Sequence, residues 1–271
     1  MSATSITRWA DLRGHGFLFR QLVQRELRQK YQGSVLGLVW YLINPLLLLG
    51  SYYLLFGLLL KPVSHDAYPL FVMTAMVVWL LVAQTLPAAG DSLLSQAPLL
   101  RKSRFPRELV PTAVVTVQAL TFLALLTIVT VITVPIRGTF DVALLLLPVV
   151  AALIIAFVQG LALALSVLHA HFRDVLPIIS AILVPWFFVT PIFYEPDDLL
   201  LTAPDAPGWV VAALEWGNPV APFVEAMRSI LYYGQVPEWG LWAYMLVAVG
   251  VAAFAGRAIF RRLERDLAVM L

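Results

Sequence analysis

No cysteine occurs in the 271 residues, so neither a disulfide framework nor a thiolate metal site is open to this chain. Charge is scarce as well: 13% of residues are Asp, Glu, Lys or Arg, against about 25% in soluble domains. Lysine falls only at Lys30, Lys61 and Lys102. None sits in the glycine-rich turn of a G-x-x-x-x-G-K-[ST] phosphate loop, so the chain is not expected to hydrolyse ATP by such a loop. No apolar stretch precedes Arg8, Arg13, Arg20, Arg25, Arg28 and Lys30, and no cleavable signal peptide is expected.

Apolar sequence fills the place of the missing charge. Hydrophobic residues make up 61% of the chain. Six stretches contain no Asp, Glu, Lys or Arg: Val35 to Leu60, Tyr68 to Gly90, Leu109 to Ile136, Val142 to Leu168, Val175 to Tyr194 and Gly240 to Gly256. About 20 apolar residues cross the hydrocarbon core as a helix, so each stretch is a candidate span. The last is short, but Trp239, Trp242 and Arg257 flank it as interfacial anchors. The predicted fold is all-α: one polytopic membrane domain over residues 1–271, with residues 1–34 as a cytoplasmic segment and 35–271 as a six-helix membrane domain.

Basic residues fall unevenly between these spans. Six precede the first, four lie between the second and third, one follows the fourth and four follow the last, fifteen in all; Lys61, Arg137 and Arg228 fall on the other side. The positive-inside rule puts the fifteen, and with them both termini, in the cytoplasm. The outer side carries Asp66, Asp141, Glu195, Asp197, Asp198, Asp205, Glu215, Glu225 and Glu238.

Two further segments are helical in pattern. Trp9, Leu12, Leu18, Leu22 and Val23 alternate with the six leading basic residues, as in a helix lying on an anionic inner surface. Beyond Tyr194, Val220, Phe223, Val224, Met227 and Leu231 follow helical spacing until Gly234. That stretch is too short to span, and a re-entrant or surface helix hairpin is expected between spans five and six.

Ionisable groups near the membrane midplane would mark an ion-coupled carrier, and the six spans have none. His169 and His171 sit at the end of the fourth span, and a loop role is expected for them. Glu195, Asp197 and Asp198 could be called paired carboxylates, but acids in a Pro-rich loop without a nearby histidine are ordinarily solvated. Aromatic residues are better candidates. Tyr52 and Phe56 share a helix face in the first span. Trp79 lies in the second, and Trp186, Phe187, Phe188 and Tyr194 in the fifth. Such faces can stack on sugar rings or form an interfacial belt. The loop from Asp91 to Glu108 mixes Leu93, Leu94, Leu99 and Leu100 with Arg101, Lys102, Arg104 and Arg107 and ends in Phe105 and Pro106, a composition that a soluble partner could receive.

Taken in order, Arg25, Glu26, Leu27, Arg28, Tyr31, Gly33, Ser34, Leu36, Gly37, Trp40, Asn44 and Pro45 open a pattern that resembles a known family. It continues with Leu100, Arg101, Lys102, Phe105 and Pro106, then Phe172, Arg173, Asp174 and Val175, then Pro191, Ile192 and Tyr194, and closes with Asn218, Pro219, Arg228 and Gly234. The sequence is similar to permease subunits of ABC-2-type ABC transporters, in the branch that exports polysaccharides and polyol phosphates, including O-antigen, capsule and teichoic acid. The resemblance implies a homodimer joined to two copies of a separate ABC ATPase subunit, which would carry the ATP and magnesium. This chain would then hold no cofactor of its own, would not be an enzyme and would bind no nucleic acid. Its partners would be that ATPase, a second copy of itself, membrane lipids and a lipid-linked glycan or polyol phosphate. Its place would be the bacterial plasma (inner) membrane. The resemblance maps coupling elements onto Ser92 to Pro106 and His169 to Val175, with Leu99, Leu100, Arg101, Lys102, Phe105, Pro106, His171, Arg173 and Asp174 as contacts. It puts Tyr52, Phe56, Trp186, Phe187 and Tyr194 along a channel between two copies. His169 and His171 match no part of the family pattern. Export of a lipid or drug on the same fold, a gradient-driven carrier and a membrane glycosyltransferase are the competing functions.

Overall fold

Long runs of Leu, Val, Ala and Ile without charge leave the backbone one way to satisfy its hydrogen bonds in a lipid setting, and that is helix. The computed structural model describes residues 16–29, 40–52, 54–55, 67–102, 105–138, 140–196 and 207–265, and most of these are helical. In chain order the helices are α1 (Gly16–Gln29), α2 (Trp40–Tyr52), α3 (Tyr68–Ser95), α4 (Ala97–Lys102), α5 (Leu109–Arg137), α6 (Leu147–His171), α7 (Val175–Val189), α8 (Gly208–Trp216), α9 (Ala221–Arg228) and α10 (Trp239–Leu263). A 3-10 turn, Val142–Leu146, leads into α6, and a π turn, Ser229–Tyr233, continues α9.

Four of these helical stretches are long and apolar enough to cross a membrane: α3, α5, the turn plus α6 (Val142–His171), and α10. They match the second, third, fourth and sixth expected spans. α10 runs further than expected because Arg257, Arg261 and Arg262 stay on the helix. Of the first expected span only 40–52 and 54–55 are described. The fifth differs more. α7 ends at Val189, five residues before Tyr194, because Pro191 pushes Thr190 into an extended conformation (ψ 131°).

α3 is the central helix, buried along most of its length from Tyr68 to Leu93 and packed on α5, α6, α7 and α9. α6 and α10 make the closest pairing. A Cβ on Gly160 would collide with the backbone of Ala252, and one on Gly256 with the carbonyl of Gly160. Small residues at a helix interface let backbones approach in this way where lipid tails offer no hydrophobic gain. α7 contributes no fully buried residue.

The two ends of the bundle differ in charge. At one end Leu22 of α1 packs with Leu93, Val110, Val167 and Phe260, with Leu18, Phe19 and Val23 beside it. The apolar face of α1 is thus spent on the bundle, and Arg20, Arg25 and Arg28 are exposed. Glu108 pairs with Arg257 at 3.4 Å, and Arg107 donates to the carbonyl of Glu264. The expected helix over the second half of the outer segment is found as α9, and Gly234 ends its π turn with φ 69°. A side chain there would be strained and would meet the guanidinium of Arg137.

Candidate functional site

Thr190 to Tyr194 leaves the helical path, and its carbonyls need partners. Arg228 supplies them: its guanidinium donates to Pro191 O (2.6 Å) and Ile192 O (3.3 Å), pairs with Glu225 at 3.1 Å and lies 3.7 Å over the ring of Phe71. The residue is 0% exposed. Burial pushes the Glu225 carboxyl above its ordinary range, and the neighbouring Arg228 pulls it back. Tyr68 donates to Phe193 O, and Tyr233 donates to Glu195, so α3 and the π turn fasten the same segment. Burial and that carboxylate push the Tyr233 hydroxyl up.

Beside this segment the aromatic side chains gather. Phe187 lies 6.1 Å from Tyr52, 5.6 Å from Trp79 and 5.2 Å from Phe193; Trp79 stands edge-on to Trp186 at 6.0 Å, and Phe188 is 63% exposed. Three expected lining residues, Tyr52, Trp186 and Phe187, are therefore brought into one seam. Phe56 lies outside the described residues. Tyr194 folds back, its hydroxyl donating to the carbonyl of Val189 at 3.1 Å. The indole N–H of Trp186 donates to the side-chain oxygen of Asn218 (2.9 Å), whose amide donates to Thr190 Oγ1 (2.9 Å) and whose oxygen also accepts from the Val220 amide (3.0 Å). Asn218 thus locks α7 to the turn before α9. Phe193 was missed in the sequence, although its place beside the marked pair Ile192 and Tyr194 was a signal.

The expected coupling residues fall at the basic end. α3 continues through Ser95, and α4 follows after a break at Gln96. Leu100 is buried in the core there, and Leu99 is half-buried against it. The side chains of Arg101 and Lys102 lie outside the described residues. Pro106 is exposed and Phe105 half-buried. On the turn between α6 and α7, Phe172, Arg173 and Asp174 are exposed, while a ring nitrogen of His171 is 2.9 Å from Val167 O. Leu100 and Ala170 belong to one apolar cluster, so both turns lie at the same end of the bundle.

Residues 17–232 match the ABC-2 type transporter family. The chain belongs to that family. An O-antigen export system permease protein of Myxococcus xanthus is 29% identical over 252 residues, covering 93% of this chain and 94% of that one. A permease protein of an O-antigen export system in Klebsiella pneumoniae is 27% identical over 268 residues, covering 94% and 96%. As an ABC-2 family member with four long apolar helices, the chain is a multi-pass membrane transporter component.

Proposed function

We propose that this chain is the permease subunit of an ATP-driven exporter that moves a lipid-linked polysaccharide of the O-antigen type out across the plasma membrane. The observation that carries this is the similarity to O-antigen export permeases along nearly the full length of each chain. Two copies of the permease would join two copies of a separate ABC ATPase. Residues 1–271 would form one transmembrane domain with six spans. Spans one and five would be built around α2 and α7, and α8 and α9 would form the outer hairpin, with both termini in the cytoplasm. The exposed face of α7 supports a second copy or lipid against it. The turns at Ala97–Lys102 and Phe172–Asp174, at one end of the bundle, would receive the ATPase. Tyr52, Phe56, Trp186, Phe187 and Tyr194 would line the route of the polymer.

The test is complementation. Expressed with an ABC ATPase from the same gene neighbourhood in a strain lacking its own permease, the chain is expected to restore cell-surface polysaccharide. The purified chain alone is expected to show no ATPase activity. Magnesium-dependent ATP turnover by the chain without a partner would sink the proposal.

A further inference from the structure

At the end of the bundle opposite α1, a cavity of about 560 Å³ opens between the 191–196 segment, α8, α9 and the start of α10. Its size lies in the range of roughly 300–1,000 Å³ typical of small-molecule sites. Four carboxylates line it, Glu195, Glu215, Glu225 and Glu238, together with Trp216, Tyr233 and Gln235. One guanidinium, Arg228, sits behind Glu225. Among the described residues no group of three or more acids and histidines converges at metal-ligand spacing, so the carboxylates are spread around the wall and do not form a cage.

That lining combines an indole surface, 41% exposed, with acceptors set at intervals around it. A sugar ring offers one apolar C–H face and a rim of hydroxyl donors. Aromatic surface buries the first, and carboxylates accept charge-assisted hydrogen bonds from the second. Glu195, Glu215 and Glu238 also disfavour phosphate and carboxylate groups at short range, whereas Glu225 is paired with Arg228. The cavity wall also includes Pro191, whose carbonyl Arg228 holds. It therefore adjoins the segment that continues the aromatic seam.

We propose that this cavity is a glycan subsite that takes an uncharged, hydroxyl-rich sugar segment and turns away polyanionic polymers such as polyol phosphates. The inference rests on the export function proposed above and narrows its substrate class. The test uses the full chain in lipid nanodiscs, with calorimetric binding of mannotriose, a glycerol phosphate trimer and calcium ions. Mannotriose is expected to bind, and about fivefold more weakly to Trp216→Leu. The glycerol phosphate trimer is expected to bind only once Glu215→Gln and Glu238→Gln are combined, a pair that preserves side-chain size. No binding of mannotriose, equal binding of the neutral and anionic trimers to the unaltered chain, or calcium binding that excludes the sugar would each overturn the proposal. Failure here is separable from failure of the export function, which the complementation assay reads in cells without reference to this cavity.

Discussion

At the scale of single residues, the polar side chains buried near the acidic end decide the local structure. Arg228 neutralises Glu225 and holds two carbonyls that no helix satisfies. Removing one partner of a fully buried pair costs about 3–5 kcal/mol, and less here, because 31% of the Glu225 side chain is exposed and water reaches the charge left behind. Arg228→Ala is expected to lower the melting temperature in detergent sharply; an unchanged melting temperature would show that the cation is dispensable. The aromatic seam separates two effects. Phe187→Leu and Tyr52→Leu keep apolar volume and free no hydrogen-bond partner of Asn218, so normal membrane levels with reduced polymer export are expected. Trp186→Leu deprives the Asn218 oxygen of one of its two donors and is expected to reduce stability as well, by about 1 kcal/mol. Normal export by the Tyr52→Leu, Phe187→Leu double variant would remove these rings from the polymer's route. The identities of Tyr52, Trp186 and Phe187 were legible in the sequence as aromatic residues within apolar runs. The depth of Arg228 was not, because a cation in a short segment outside the spans reads as solvated.

Among the elements, the α6–α10 pair shows what hydropathy can and cannot reveal. Both helices were legible from length and composition alone. Their backbone contact depends on two glycines in different helices, Gly160 and Gly256, which no single-span pattern relates. Gly160→Val and Gly256→Val are each expected to force the helices apart and reduce the folded protein recovered from membranes. Gly250→Ala, where a Cβ meets nothing, is expected to be tolerated. Equal recovery of all three variants would show that the close crossing is not required. α9 was legible because apolar spacing and a left-handed glycine at Gly234 both marked it. The early end of α7 was not, because the residues after Val189 remain apolar and hydropathy is blind to the constraint that Pro191 places on Thr190.

Over the whole molecule, charge sorts the two ends: Arg20, Arg25, Arg28 and Arg262 are exposed at one, and the carboxylates of the cavity gather at the other. The absence of cysteine makes the resulting orientation directly measurable. With a membrane-impermeant maleimide applied to spheroplasts, Val236→Cys is expected to label and Arg262→Cys only after permeabilisation. The reverse pattern would invert the topology. This polarity was legible as a count of basic residues. The packing of α1 against the bundle was not, since the same amphipathic pattern serves a lipid surface or a protein one. The α6–α10 crossing also imposes an order on assembly. Its two glycines lie roughly a hundred residues apart, and contacts at such separation close slowly. Until α10 is inserted, the small face of α6 waits uncovered in the bilayer. During that interval the strip of backbone that the finished bundle conceals is open to other contacts, so slower docking of α10 is expected to lower the recovery of folded permease.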